Sequence, residues 1–145
     1  MVGIIITGHG SFASGLESNV RLLAGRREEI KYIDFQAEDS TELLEQRLSM
    51  ALEELSKLPQ KLIFCDILSG TPFQKAVTLT HEEPGIRVIY GTNTAMVIEL
   101  CMRNMAGTEV GNLDELVTEL IQIGKDQIGT FKQIFEEESE VEDGI

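Results

Sequence analysis

The chain contains few basic residues for its size. Its 145 residues include 12 Lys and Arg against 25 Asp and Glu, which gives a formal net charge of −13 at pH 7. Non-specific nucleic-acid binding requires Lys and Arg to neutralise phosphates, so this balance argues against a nucleic-acid partner. The acidity itself indicates only a soluble, self-repelling surface.

Cysteine, histidine and long apolar runs are also scarce. Cys65 and Cys101 form no C-x-x-C pattern and lie in apolar segments, as is typical of reduced core thiols in a cytosolic protein. His9 and His81 lack the spacing of metal ligands, and the chain has neither a G-x-G-x-x-G nor a Walker A loop, so we expect no metal and no cofactor. The N-terminal apolar run is too short for a signal peptide or a membrane span, which predicts a cytoplasmic protein without direct membrane insertion.

Short apolar runs alternate with segments of helical periodicity. Asp39 and Glu42 form a capping-box pattern before the second helix, and Thr71 is a suitable N-cap for the third, with Pro72 at the first helical position. The pattern predicts strands at residues 2–7, 30–35, 61–66 and 87–90, and helices at 12–24, 39–55, 73–80, 95–105 and 113 to about 135.

This alternation predicts an α/β fold. Because the strand runs are apolar on both faces, we expect an open, mainly parallel, doubly wound sheet covered by helices on both faces. The sequence shows no linker or internal repeat, so residues 1–135 are predicted to form a single domain. The acidic residues 136–145 have no apolar face and are expected to be frayed.

Two polar residues come where neighbouring strands are predicted to end. His9 follows the first strand, between Gly8 and Gly10, and Asp66 ends the third. Ligands of open α/β sheets bind beyond the carboxyl ends of strands. A carboxylate that accepts the proton of one imidazole nitrogen leaves the other nitrogen free to act as a nucleophile. The pattern therefore predicts that Asp66 orients His9 as a catalytic group.

The segment "SGTPF" follows Asp66 and opens the third helix. The backbone N–H groups of Ser69, Gly70 and Thr71, together with the positive end of that helix, would form a cradle for an anion. The alternative is simply a well-capped helix. Together with a nucleophilic imidazole, the cradle indicates phosphoryl transfer through a phosphohistidine on His9.

Other readings predict different chemistry at the same strand ends. A regulatory module that senses an anionic ligand would bind phosphate without transferring it. A response-regulator receiver would form an acyl phosphate on Asp66 with magnesium, but it needs an acidic pair after the first strand, where this chain has Gly8, His9 and Gly10.

Four segments together resemble the IIA components of the mannose-class phosphoenolpyruvate-dependent sugar phosphotransferase system (PTS), up to about residue 132: "GIIITGHGSFASG", "YIDF", "CDILSGTPFQKA" and "YGTNTAMVIELCMR". The resemblance implies a four-stranded parallel sheet and a cytoplasmic homodimer whose subunits exchange a C-terminal strand. It also implies a phosphotransferase that relays a phosphoryl group from the phosphocarrier HPr through His9 to a IIB component, which phosphorylates sugar entering through a IIC/IID permease. In this family Asp66 would orient His9, and Thr71, with Ser69 and Gly70, would hold the phosphate.

The resemblance leaves the partners of the relay open. A related IIA-like subunit serves a dihydroxyacetone kinase instead of a permease. The family's best-known turn has tryptophan and two glycines where this chain has Leu68, Ser69 and Gly70, so sugar specificity does not carry over. Apolar residues near the mouth of the site either dock a partner or pack in the core, namely Phe12, Leu68 and Phe73.

Overall fold

The computed structural model describes residues 1–132, along which strands and helices alternate until two helices follow one another at the end. The strands are β1 Gly3–His9, β2 Ile30–Phe35, β3 Lys61–Cys65 and β4 Ile86–Ile89, and the helices are α1 Phe12–Ala24, α2 Thr41–Glu54, α3 Thr71–Thr80, α4 Thr94–Ala106 and α5 Leu113–Asp126. Within these residues, no helix has the length and apolarity to cross a membrane.

The strands form one parallel sheet in the order β2-β1-β3-β4. The chain moves from β1 outward to β2, then returns past β1 to β3 and continues to β4. The strand order therefore reverses between β1 and β3, which is where open α/β sheets bind ligands. This topology confirms the predicted single-domain α/β fold.

The two faces of the sheet bury separate apolar clusters. Ile4 and Ile6 of β1 point toward α1, α4 and α5, whereas Ile5 points toward α2 and α3. Each cluster holds one of the buried free thiols, Cys65 or Cys101, as predicted for core cysteines. Burial raises the pKa of Cys65 to about 12 and that of Cys101 to about 11, so both are protonated thiols at neutral pH.

Two predicted helix starts are shifted by one residue. Helix α2 is capped by Ser40, whose Oγ accepts the Leu43 N–H at 3.1 Å, and not by Asp39. The Asp39 carboxylate accepts a different backbone N–H, that of Gln36, at 2.8 Å. In α3 the N-cap is Gly70, and the predicted cap Thr71 is instead the first helical residue.

Helix α5 is shorter than predicted. It ends at Asp126, and the N–H of the following residue, Gln127, donates to carbonyls of the last turn. Gly124 is its last buried residue, and residues 125–132 are all exposed, so no core contact extends the helix toward residue 135. The end of that predicted helix and the acidic tail at 136–145 lie outside the described residues.

Candidate functional site

The structure brings His9 and Asp66 into direct contact. His9 ends β1 and Asp66 follows β3, so the pairing of these neighbouring strands places the two residues side by side. The Nδ1 atom of His9 lies 2.8 Å from Asp66 Oδ2, and the His9 backbone N–H donates to the same oxygen at 2.9 Å. The second oxygen, Oδ1, accepts the Ile67 N–H at 2.9 Å. Both oxygens of the carboxylate are thus engaged.

The hydrogen bonds decide which nitrogen of His9 carries the proton. Burial opposes ionisation of Asp66, but the His9 N–H, the imidazole and the Ile67 N–H together outweigh it and hold the pKa of Asp66 below its usual range. An ionised carboxylate only accepts hydrogen bonds, so Nδ1 of His9 must donate. In the neutral imidazole, the free lone pair is therefore on Nε2.

The backbone at the start of α3 lies against this Nε2 atom. A Cβ atom added at Gly70 would lie only 2.7 Å from His9 Nε2 and 2.6 Å from Cε1. Gly70 also has φ +98° and ψ 171°, a combination that is essentially restricted to glycine. Position 70 thus requires glycine both for its backbone conformation and for its contact with the imidazole.

Gly8, on the other side of His9, is equally confined. A Cβ atom there would lie 2.8 Å from Asp66 Cγ and 2.7 Å from Phe12 Cδ2. The absence of a side chain at Gly8 therefore allows the carboxylate to reach the His9 backbone.

Helix α3 begins without a side-chain acceptor for its first N–H groups among residues 1–132, because its N-cap residue is glycine. The other helices each have one: Asp34 for α1, Ser40 for α2, Asn93 for α4 and Asn112 for α5. Unpaired N–H groups and the helix dipole make a helix N-terminus attractive to anions. In this protein the uncapped N-terminus lies beside the lone-pair nitrogen of His9.

The predicted phosphate-holding residues surround this N-terminus. Ser69 is exposed, whereas Gly70 and Thr71 are partly buried. Within residues 1–132, neither the Ser69 nor the Thr71 hydroxyl has a hydrogen-bond partner. Gly70 contacts the imidazole directly, and the anion-binding role of all three residues stays a prediction.

The apolar residues at the mouth divide into two groups. Phe12 and Phe73 are partly buried and pack against the two core clusters. Leu68 is 55% exposed. Two further apolar side chains near it are similarly exposed, Ile67 at 50% and Tyr90 at 52%, and the sequence analysis did not identify them. Ile67 could have been found, since it extends the apolar segment past Asp66. Tyr90 is found only in three dimensions, where its ring meets that of Phe73 edge-on at 5.9 Å between centroids.

Comparison with known proteins assigns this chain to a family. Residues 3–120 match the family model described as PTS system fructose IIA component. Over 131 residues the chain is 28% identical to the PTS mannose-specific EIIAB component of Escherichia coli strain K12, an alignment that covers 90% of this chain. The chain spans only 40% of the length of that relative.

Solved structures agree with this assignment over nearly the whole of their chains. PTS component EIIA from Streptococcus agalactiae superimposes with a TM-score of 0.78 at 30% identity, covering 90% of this chain and 97% of the other. The mannose/sorbose-specific IIA subunit from Enterococcus faecalis gives a TM-score of 0.79 at 28% identity, covering 92% and 96%. Both His9 and Asp66 fall within the matched residues 3–120, and the chain belongs to the mannose, fructose and sorbose family of PTS IIA components.

Proposed function

We propose that this protein is the phosphoryl relay of a sugar PTS, accepting a phosphoryl group from phospho-HPr on His9 and passing it to a IIB component. The observation that carries the proposal is the hydrogen bond between His9 Nδ1 and Asp66, which leaves the Nε2 lone pair beside the uncapped N-terminus of α3. Family membership supports the same role.

The first transfer uses Nε2 as the nucleophile. Its lone pair forms a bond to the phosphorus of phospho-HPr, and the N–P bond to the donor histidine breaks, returning that electron pair to the donor nitrogen. The imidazole of His9 becomes positively charged as the new bond forms. Its Nδ1–H stays hydrogen-bonded to the Asp66 carboxylate, which stabilises this charge and keeps the ring oriented. The transfer to IIB reverses these steps with a nucleophile of the partner.

The phosphoryl oxygens are stabilised by the start of α3. On this proposal, backbone N–H groups near Gly70 and Thr71 and the hydroxyls of Ser69 and Thr71 receive the oxygens of the group on Nε2. Such donors are most effective when they are in place before the reaction, and the close approach of Gly70 to the imidazole supports that preorganisation.

The site is open enough for a protein partner. The side chain of His9 is 44% exposed, whereas that of Asp66 is only 15% exposed. Around it, the exposed apolar side chains of Ile67, Leu68 and Tyr90 offer a docking surface for HPr and IIB. We further propose a cytoplasmic homodimer that feeds a IIC/IID permease, with sugar choice residing in IIB and the permease.

The geometry disfavours a receiver-like reaction. In a receiver, Asp66 would itself attack phosphorus, but here both of its oxygens accept hydrogen bonds from His9 and Ile67. Engagement of these oxygens supports an orienting role for the carboxylate and not a nucleophilic one.

Reconstitution tests the relay directly. The protein is incubated with phosphoenolpyruvate, enzyme I and HPr, and then analysed by intact mass and peptide mapping. We expect one added phosphoryl group, labile to acid and mapped to His9, that disappears when a cognate IIB is added. An unmodified protein in the presence of demonstrably charged HPr would contradict the relay and favour an anion-sensing module. Transfer to a dihydroxyacetone kinase subunit instead of IIB would identify the alternative pathway.

Asp66→Ala is expected to slow phosphoryl acceptance on the order of 100-fold without abolishing it, because orientation of the ring is lost while Nε2 remains. Single-turnover rates with phospho-HPr measure the effect. Asp114→Ala is the matched control, since it removes another ion-paired carboxylate, the partner of Arg87 at the other end of the sheet. Equal rates for Asp66→Ala and wild type would remove Asp66 from the mechanism.

A further inference from the structure

The turn that follows His9 is fastened to the end of β2. The Gly10 N–H donates to the Phe35 carbonyl at 2.7 Å, and the Ser14 N–H donates to the Asp34 carboxylate at 2.9 Å. Ser14 lies in the first turn of α1, whose own N-cap residue, Ser11, makes no side-chain capping bond. Asp34 therefore supplies, from a neighbouring strand, the acceptor that caps α1.

The end of β2 is itself held in place by α2. The Gln36 side chain donates to Ser11 Oγ at 3.1 Å, and its backbone N–H donates to Asp39 at 2.8 Å. Asp39 in turn accepts from Arg47 of α2 at 3.3 Å. We call residues 34–36 the β2 clamp, because their hydrogen bonds connect the turn after His9 to Asp39 and, through it, to α2.

We propose that Asp34 is a positioning residue for phosphorylation of His9, an inference that rests on the proposed relay. The His9 backbone is held on the β3 side by Asp66, and the β2 clamp holds the following turn on the other side. Releasing Asp34 would let this turn shift, and with it the angle at which Nε2 meets an incoming phosphoryl group.

Asp34 also controls which helix can receive an anion. Helix α1 begins at Phe12, three residues after His9 in the chain. The Asp34 carboxylate occupies that N-terminus, whereas the start of α3 has only Gly70 as its N-cap. The negative charge of Asp34 would therefore disfavour a phosphoryl group at the start of α1 and leave the start of α3 as the favoured anion site.

Single-turnover phosphorylation by phospho-HPr tests the role of Asp34. Asp34→Ala should slow acceptance about tenfold or more, because small misplacements of reacting groups are costly. Asp34→Asn should recover most of the rate lost in Asp34→Ala, since its amide oxygen still accepts the Ser14 N–H. Asn112→Ala removes the cap of α5, at the opposite end of the sheet, and should react at the wild-type rate.

A second variant covers the case in which Asp34→Ala does not fold. Gln36→Ala removes only the bond to Ser11, and it should slow acceptance about threefold, in the same direction. Wild-type rates in every folded clamp variant would overturn the inference while leaving the relay intact.

Nitrogen-15 NMR of the His9 ring separates failure of this inference from failure of the relay. If the wild-type protein accepts no phosphoryl group, the relay fails, and the ring signals decide the role of Asp34. Altered Nδ1 and Nε2 signals in Asp34→Ala, but not in Asn112→Ala, would support positioning. Unchanged signals would overturn it.

Discussion

Replacing His9 by alanine is expected to abolish phosphoryl acceptance from phospho-HPr while leaving the protein folded. The variant loses the Nε2 nucleophile, for which no neighbouring group at the site substitutes, so the rate should fall by at least about a thousandfold. The fold should survive because the His9 side chain is 44% exposed and Asp66 retains its two backbone N–H donors. Intact mass after reconstitution measures acceptance, and thermal unfolding measures the fold.

The matched control is His81→Ala. His81 caps the C-terminal end of α3, is exposed, and lies at the other end of that helix from the uncapped N-terminus. The His81→Ala variant should therefore accept a phosphoryl group on His9 at the wild-type rate. Normal phosphorylation of His9→Ala, or loss of phosphorylation in His81→Ala, would show that the wrong histidine has been assigned.

Gly70→Ala is expected to produce the second large effect, a loss of acceptance on the order of 100-fold. The added methyl group would collide with Nε2 and Cε1 of His9, so the ring must turn away from α3 or the helix start must move. The variant should also be destabilised by about 1–3 kcal/mol, because alanine is strained at φ +98° and ψ 171°.

Gly25→Ala separates these two consequences. Gly25 has φ +78° and ψ −171°, in the same glycine-favouring region, but an added Cβ atom there would meet no atom within 4 Å. This variant should lose similar stability and keep the wild-type rate of phosphorylation. If both variants react alike, strain and not contact with His9 explains the effect at Gly70.

Much of the fold could be predicted because its parallel sheet is buried on both faces. Runs such as Lys61–Cys65 are almost wholly apolar, and glycine or proline follows most periodic segments, so strand and helix positions are marked locally. The approach of His9 to Asp66 followed from one further rule, that adjacent parallel strands end at the same edge.

The remaining details depend on contacts between distant segments. Ser40 and Asp39 are both good capping residues, and the choice of Ser40 follows from the use of Asp39 by Gln36 and Arg47. Local preference likewise favoured Thr71 over Gly70 as the cap of α3, because the contact between Gly70 and the imidazole cannot be read from the segment alone.

The β2 clamp was not anticipated for a related reason. Asp34 is the next-to-last residue of an ordinary strand, and nothing in "YIDF" indicates that its carboxylate reaches a helix that begins 22 residues earlier, at Phe12. Capping residues are normally sought immediately before a helix. A cap supplied by a neighbouring strand becomes visible only once the strand order is known.

The uncapped start of α3 has a thermodynamic consequence for the relay. A phosphoryl group on Nε2 would supply the hydrogen-bond acceptor that α3 lacks, so phosphorylation and the local stability of this helix are linked. The first amides of α3 should therefore exchange their hydrogens more slowly in the phosphorylated protein, whereas those of α5, already capped by Asn112, should not change. Equal exchange at α3 in both forms would mean that the phosphate is held elsewhere. Phosphorylation of His9 would therefore shift the fraying equilibrium at the start of this one helix.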